Sequence, residues 1–148
     1  MKDVQNEVMV SGCRLVLRYC VALLLIFVSI AAQPGERVIV LDQEFKLKIG
    51  ESAKAPREGL KVHFDSVSED SRCPKGVTCV WAGNAKILLK VETDTEKRAN
   101  VELNTNINPK TSRYLEYELS LKELKPYPES NATIKSSDYE VTLTVRKV

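Results

Sequence analysis

The feature that most constrains this chain is an alternation of period two, in which apolar and polar side chains take turns along nearly every apolar stretch beyond residue 44. Successive side chains of a strand point to opposite faces, so the pattern is that of half-buried β-strands. No segment carries the stripe of about 3.6 residues that a helix would need. Phe45, Leu47 and Ile49 alternate with Glu44, Lys46 and Lys48 and stop at Gly50. Leu60, Val62 and Phe64 alternate with Lys61, His63 and Asp65 after the turn residues 56–59. Val80 and Trp81 run into Ala82, Gly83 and Asn84, and Ala85, Ile87, Leu89 and Val91 return beyond them, which predicts a tight hairpin. Val101 and Leu103 follow a polar turn at 93–97. Leu115, Tyr117, Leu119 and Leu121 form one further run, and Tyr139, Val141, Leu143 and Val145 the last.

These runs amount to about seven strands, or eight if residues 38–41 pair, with turn residues at the spacing of a β-sandwich. The predicted fold is all-β: a single antiparallel sandwich in which one inward face per strand supplies one core. Residues 104–112 and 125–137, rich in Asn, Pro, Ser and Thr, read as long connections. An immunoglobulin-like arrangement is compatible with this count in architecture only, because the pattern of two distant cysteines bracketing a tryptophan is absent.

The first part of the chain reads differently. An uncharged run from Tyr19 to Ala32 follows Arg14 and Arg18 and precedes Gln33, Pro34 and Gly35, in the manner of an export signal with cleavage after Ala31. The run is short beside the ~20 residues that cross a bilayer, so a retained anchor is the lesser reading. Asp3 and Glu7 are unusual before such a run, which makes Met9 an alternative start. The expected organisation is a signal peptide at 1–31, a lead-in at 32–43 and a β-domain at 44–148, with a periplasmic or extracellular destination.

Charge is nearly balanced, with 22 Lys and Arg against 20 Asp and Glu in 148 residues, and the signs are interspersed. That excludes the basic field that would hold nucleic acid or an anionic membrane. Of the 4 cysteines, Cys13 and Cys20 belong to the leader, leaving Cys73 and Cys79 as the pair of the exported part. Outside the cytoplasm two thiols this close are expected to join. Chain-entropy reasoning gives so short a loop only about 2 kcal/mol, so its effect is local. The C-x5-C spacing differs from a catalytic dithiol, and with 1 histidine and no second cysteine pair a zinc site has no ligand set. No cofactor and no metal are implied.

The densest feature is the run from Ser66 to Asn84, with Asp70, Ser71, Arg72, Cys73, Pro74, Gly76, Cys79, Trp81 and Gly83 at its centre. It resembles a motif, D-S-R-C-P-x-G-x-x-C-x-W-x-G, of small exported bacterial all-β proteins of unassigned function. Those proteins also end in a strand like Tyr139 to Val145. The resemblance covers most of the chain from Phe45 onward and implies fold and export, with no chemistry to carry over.

Read physically, Asp70 and Ser71 turn the backbone, Arg72 pairs with Asp70 or Glu69, and Trp81 buries its ring against the disulfide. The functional alternative makes this loop a contact surface, with Asp70, Arg72, Lys75 and Trp81 as candidate binding residues. The expected function is a non-enzymatic binding or structural protein, its partner another envelope or extracellular protein. The alternative is a protease inhibitor presenting Lys75 on a preorganised loop. Catalysis has little to rest on. His63 falls on the polar side of its strand, and Glu69 and Asp70 point to opposite faces. A calcium site from Asp65, Glu69 and Asp70 lacks the glycine-punctuated spacing of a dedicated loop. The segment 125–129, stiffened by Pro126 and Pro128, reads as a crossover before a peptide motif, and Asn131-Ala132-Thr133 is a glycosylation acceptor only in a eukaryotic host.

Overall fold

The computed structural model describes residues 37–148, and the expected leader lies outside them. The fold is all-β, in two sheets. The strands are β1 (Arg37–Val38), β2 (Glu44–Lys48), β3 (Ser52–Ala55), β4 (Leu60–Asp70), β5 (Ala85–Thr93), β6 (Ala99–Asn104), β7 (Thr111–Tyr114), β8 (Tyr117–Lys125) and β9 (Glu140–Lys147), with one 3₁₀ turn at Ser136–Asp138. The five-stranded sheet runs β1-β3-β4-β5-β6 and the four-stranded sheet β2-β9-β8-β7. All pairings are antiparallel except β1 with β3.

Both sheets turn their apolar faces to one core. Ala53, Leu60, Val62, Phe64, Ile87, Leu89 and Leu103 come from one side, and Leu47, Leu119, Val141, Leu143 and Val145 from the other. The alternation thus does what the sequence requires of it, since a one-residue slip in any central strand would put charged side chains into this layer.

Four local expectations are corrected. Val80 and Trp81 form no strand; β5 begins at Ala85 and pairs with β4 and β6. The tight hairpin at Ala82 to Asn84 is therefore replaced by an excursion over residues 71–84 that joins β4 to β5. Leu115 does not face inward: it takes φ 53° in the turn between β7 and β8 and is exposed. The stretch expected as a connection at 104–112 contains buried Asn104 at the end of β6 and the start of β7. The alternative of a further strand at 38–41 is met in part: Arg37 and Val38 pair with β3, and Ile39 reaches the core. Strand β3 itself carries its inward face on Ala53 and Ala55, side chains too small to register as an apolar run.

Strand direction places three long connections at one end of the molecule: 71–84 from β4 to β5, 105–110 from β6 to β7, and 126–139 from β8 to β9. Short turns at 56–59, 94–98 and 115–116 occupy the other end.

Candidate functional site

The loop end is built on Arg72. Arg72 is 5% exposed, and its guanidinium donates Nε to Asp70 Oδ1 at 2.8 Å and Nη2 to Asp70 Oδ2 at 2.6 Å, the two-pronged geometry that suits a carboxylate. The remaining donors reach across to the other sheet, Nη1 to the Leu124 carbonyl at 2.6 Å and Nη2 to the Pro126 carbonyl at 2.9 Å. Tyr139 completes the cluster by donating its hydroxyl to Asp70 Oδ2 at 2.9 Å. One side chain thus ties the end of β4 to the end of β8 and, through Asp70, to the start of β9. Burial is the largest single influence on the Asp70 carboxyl and opposes its charge. The hydrogen bonds from Arg72 and Tyr139 outweigh burial together and hold the carboxyl below the usual range. The same burial, with the Asp70 carboxylate beside it, pushes the Tyr139 phenol up to about 12.

Beyond Arg72 the excursion is held at its base as a ladder. Ser71 N–H donates to the Asn84 carbonyl at 2.7 Å and Cys73 N–H to the Ala82 carbonyl at 3.0 Å. The two arms come so close that a Cβ on Gly83 would stand 1.8 Å from the Ser71 carbonyl oxygen, and Gly83 also takes φ +68°. Only glycine fits both demands. The neighbouring loop locks onto this base: Asn106 Nδ2 donates to the Gly83 carbonyl at 2.7 Å, and Asn84 Nδ2 donates to Asn104 Oδ1 at 2.8 Å. The third loop joins through Lys75 N–H, which donates to the Pro128 carbonyl at 2.9 Å. The tip is closed by the Cys73–Cys79 disulfide.

Trp81 is placed against expectation. Its ring does not bury against the disulfide; the residue is 81% exposed, beside Val80 at 90% and Val77 at 47%. The physical reason is position: the excursion runs off the end of β4, where neither sheet has a face to cover the ring. Ile107, next to Asn106, is 56% exposed on the adjoining loop. Tyr127, half-exposed, lies under the Arg72 guanidinium at 5.2 Å and the Lys75 ammonium at 6.0 Å. Of the four candidate binding residues, Asp70 and Arg72 are therefore internal bracing, while Lys75 and Trp81 are at the surface. Sequence reasoning passed over Val77 and Ile107, read Val80 as part of a strand, and weighed Tyr127 only within the segment 125–129 as a crossover or a peptide motif. Their one signal was apolar character without an alternating partner, inside segments rich in turn residues.

The remaining candidates are dispersed. Asp65 is paired with Lys90, Glu69 with Lys86 at 3.2 Å, and Asp70 with Arg72, so the three carboxylates of the considered calcium site do not converge. Among the described residues no group of three or more His, Cys, Asp or Glu side chains is placed to hold a metal ion. His63 lies on the outer face of the five-stranded sheet, its Nδ1 3.0 Å from Ser52 Oγ and its Nε2 4.0 Å from Asp65 Oδ1. Two concavities lie elsewhere. An apolar groove of about 580 Å³ runs between residues 38–41 and 55–58, and a polar hollow of about 400 Å³ lies beside Glu118, Lys122 and Arg146. Neither includes a residue of the Cys73–Cys79 loop. No helix among the described residues is long and apolar enough to cross a membrane. No protein-family model, no curated protein and no solved structure matches this chain.

Proposed function

We propose that this chain is an exported, non-enzymatic binding or structural protein of the cell envelope or extracellular space, which holds its partner through the loop end. The observation that carries this reading is the exposure of Trp81, Val80 and Val77 on an excursion whose base is laddered by backbone hydrogen bonds and whose Cys73–Cys79 segment is closed by a disulfide. Tryptophan buries more apolar area than other side chains and dominates contact energies. A loop already held in shape loses little conformational entropy when it binds. The leader and the resemblance to small exported bacterial β proteins support the compartment. For architecture, we read the two sheets as a sandwich of immunoglobulin-like layout in which β3 to β6 form a consecutive meander.

The protease-inhibitor alternative has less behind it. A protease would need the backbone and side chain of Lys75, yet its amide is bonded to Pro128 and its ammonium stands over Tyr127. The test of the main reading is affinity capture from the native envelope with wild type, Trp81→Ala and Lys75→Ala. Retention by wild type and Lys75→Ala, with loss in a normally folded Trp81→Ala, is expected. Equal retention by Trp81→Ala would remove the loop end from consideration.

A further inference from the structure

We propose that the partner of the loop end is the surface of a zwitterionic lipid bilayer, into whose headgroup region the tip carrying Val77, Val80 and Trp81 inserts. This rests on the reading of the loop end as the contact surface and names what it contacts.

Two observations favour lipid, and a third sets how deep the loop goes. The first is shape and extent. Val77, Val80 and Trp81 are exposed along one stretch of the excursion between β4 and β5, with Ile107 and Tyr127 exposed on the flanking loops. A stable protein interface buries about 800 Å² per partner with close complementarity. A bilayer interface takes up a few apolar side chains without shaped counterparts, and Trp and Tyr favour it because their rings are apolar with one polar atom. The second is charge. Between Cys73 and Asn84 the only ionic side chain is that of Lys75, and the carboxylates just before it, Glu69 and Asp70, are neutralised by Lys86 and Arg72. No carboxylate lies between Cys73 and Asn84; Glu129, exposed on the flanking loop where its backbone bridges Lys75, has to stay at the water side of the headgroups. The near-balanced charge of the whole chain supplies no strong attraction to anionic lipid, so apolar insertion carries the binding.

The third observation sets the depth. Apart from the contact of Val77 N–H with the Pro74 carbonyl at 3.4 Å, the backbone of residues 76–81 forms no hydrogen bond with other backbone groups. Irregular backbone of this kind does not enter hydrocarbon, where its polar groups would go unsatisfied. The tip therefore stops among headgroups, roughly 5–10 Å into the boundary, where water still reaches the peptide groups.

The chain contains 1 tryptophan, so its emission reports on the tip alone, whatever happens to the N-terminal segment. The experiment uses the chain as recovered from an exporting host and vesicles of phosphatidylcholine. Expected are a shift of emission to shorter wavelength, stronger quenching by headgroup-level than by mid-chain spin labels, and flotation with the vesicles. All three should persist at about 0.5 M salt, where surface charge effects are screened. Val80→Asp is expected to lower partitioning by at least about tenfold, and Trp81→Ala to lower flotation similarly, both with unchanged circular dichroism. Unchanged emission without flotation, or undiminished binding by Val80→Asp, would overturn the proposal. So would binding that requires anionic lipid and vanishes in salt. If vesicles fail while Trp81 is still needed to capture an envelope protein, lipid is rejected and the contact surface stands. If Trp81 matters in neither assay, both readings fall.

Discussion

Arg72 and Gly83 carry more of the loop end than any residue at its surface. Replacing Arg72 by alanine would leave the Asp70 carboxylate without its counter-charge and take donors from the Leu124 and Pro126 carbonyls. Breaking a buried pair by removing one member costs about 3–5 kcal/mol. Urea denaturation of Arg72→Ala is therefore expected to show a loss of that order, and a loss under about 1 kcal/mol, the level of a surface ion pair, would show that the brace is redundant. Gly83→Ala should cost about 2–3 kcal/mol through backbone strain and the clash with Ser71. The readout is the same denaturation curve, with the shared loop contacts followed by amide exchange at Asn106. Trp81→Ala, in contrast, should leave stability within about 0.5 kcal/mol of wild type, as substitutions at exposed positions generally do.

At the scale of elements, the excursion between β4 and β5 has two differently held parts. Its base is a ladder of backbone hydrogen bonds between Ser71 and Asn84 and between Cys73 and Ala82, while its tip is closed by the disulfide. A Cys73→Ser, Cys79→Ser double variant is expected to lose about 2 kcal/mol, the chain-entropy value for so short a loop. Amide exchange should accelerate at Lys75, whose N–H is bonded to the Pro128 carbonyl, and stay slow at Ser71. Melting of the base together with the tip would show that the ladder depends on the bridge. The hairpin expected at Ala82 to Asn84 failed at this scale because Gly83 and Asn84 are good turn residues in any tight bend. Nothing local records that Gly83 serves a close approach to Ser71 from the opposite arm.

Across the whole molecule, the titrating groups set a stability profile. Glu51, Glu58, Asp65, Asp70 and Glu92 all lie below their ordinary values of 4.5 or 3.8, held there by hydrogen bonds and neighbouring cations. A carboxyl lowered by folding binds fewer protons in the native state. Its contribution is fully present above the ordinary value and is lost as pH falls through the lowered one. Tyr117 and Tyr139, each pushed up to about 12 by burial and a carboxylate partner, behave in the opposite sense. What they contribute is complete below 10.0 and disappears as pH rises through about 12. Thermal unfolding followed against pH should therefore show a plateau through neutrality and a decline beginning near pH 4. At the alkaline end, two phenols seen by absorbance should ionise together with unfolding. A decline already under way at pH 6 would contradict this assignment of groups.

The sequence by itself determined the β class and the inward faces of the strands. A period of two admits no other regular structure, and for the long strands one face was apolar enough to name the core from Leu60 to Val145. It also marked the cysteine pair and the position of His63 on a solvent face. What it could not determine was anything made by residues distant along the chain. That Arg72 would reach the carbonyls of Leu124 and Pro126 and that Tyr139 would bond Asp70 depends on two sheets bringing their ends together. That Trp81 would stand in solvent depends on where the sheets stop. A large aromatic ring beside a disulfide is ordinarily buried because some neighbouring surface covers it, and only the tertiary structure decided that here none does.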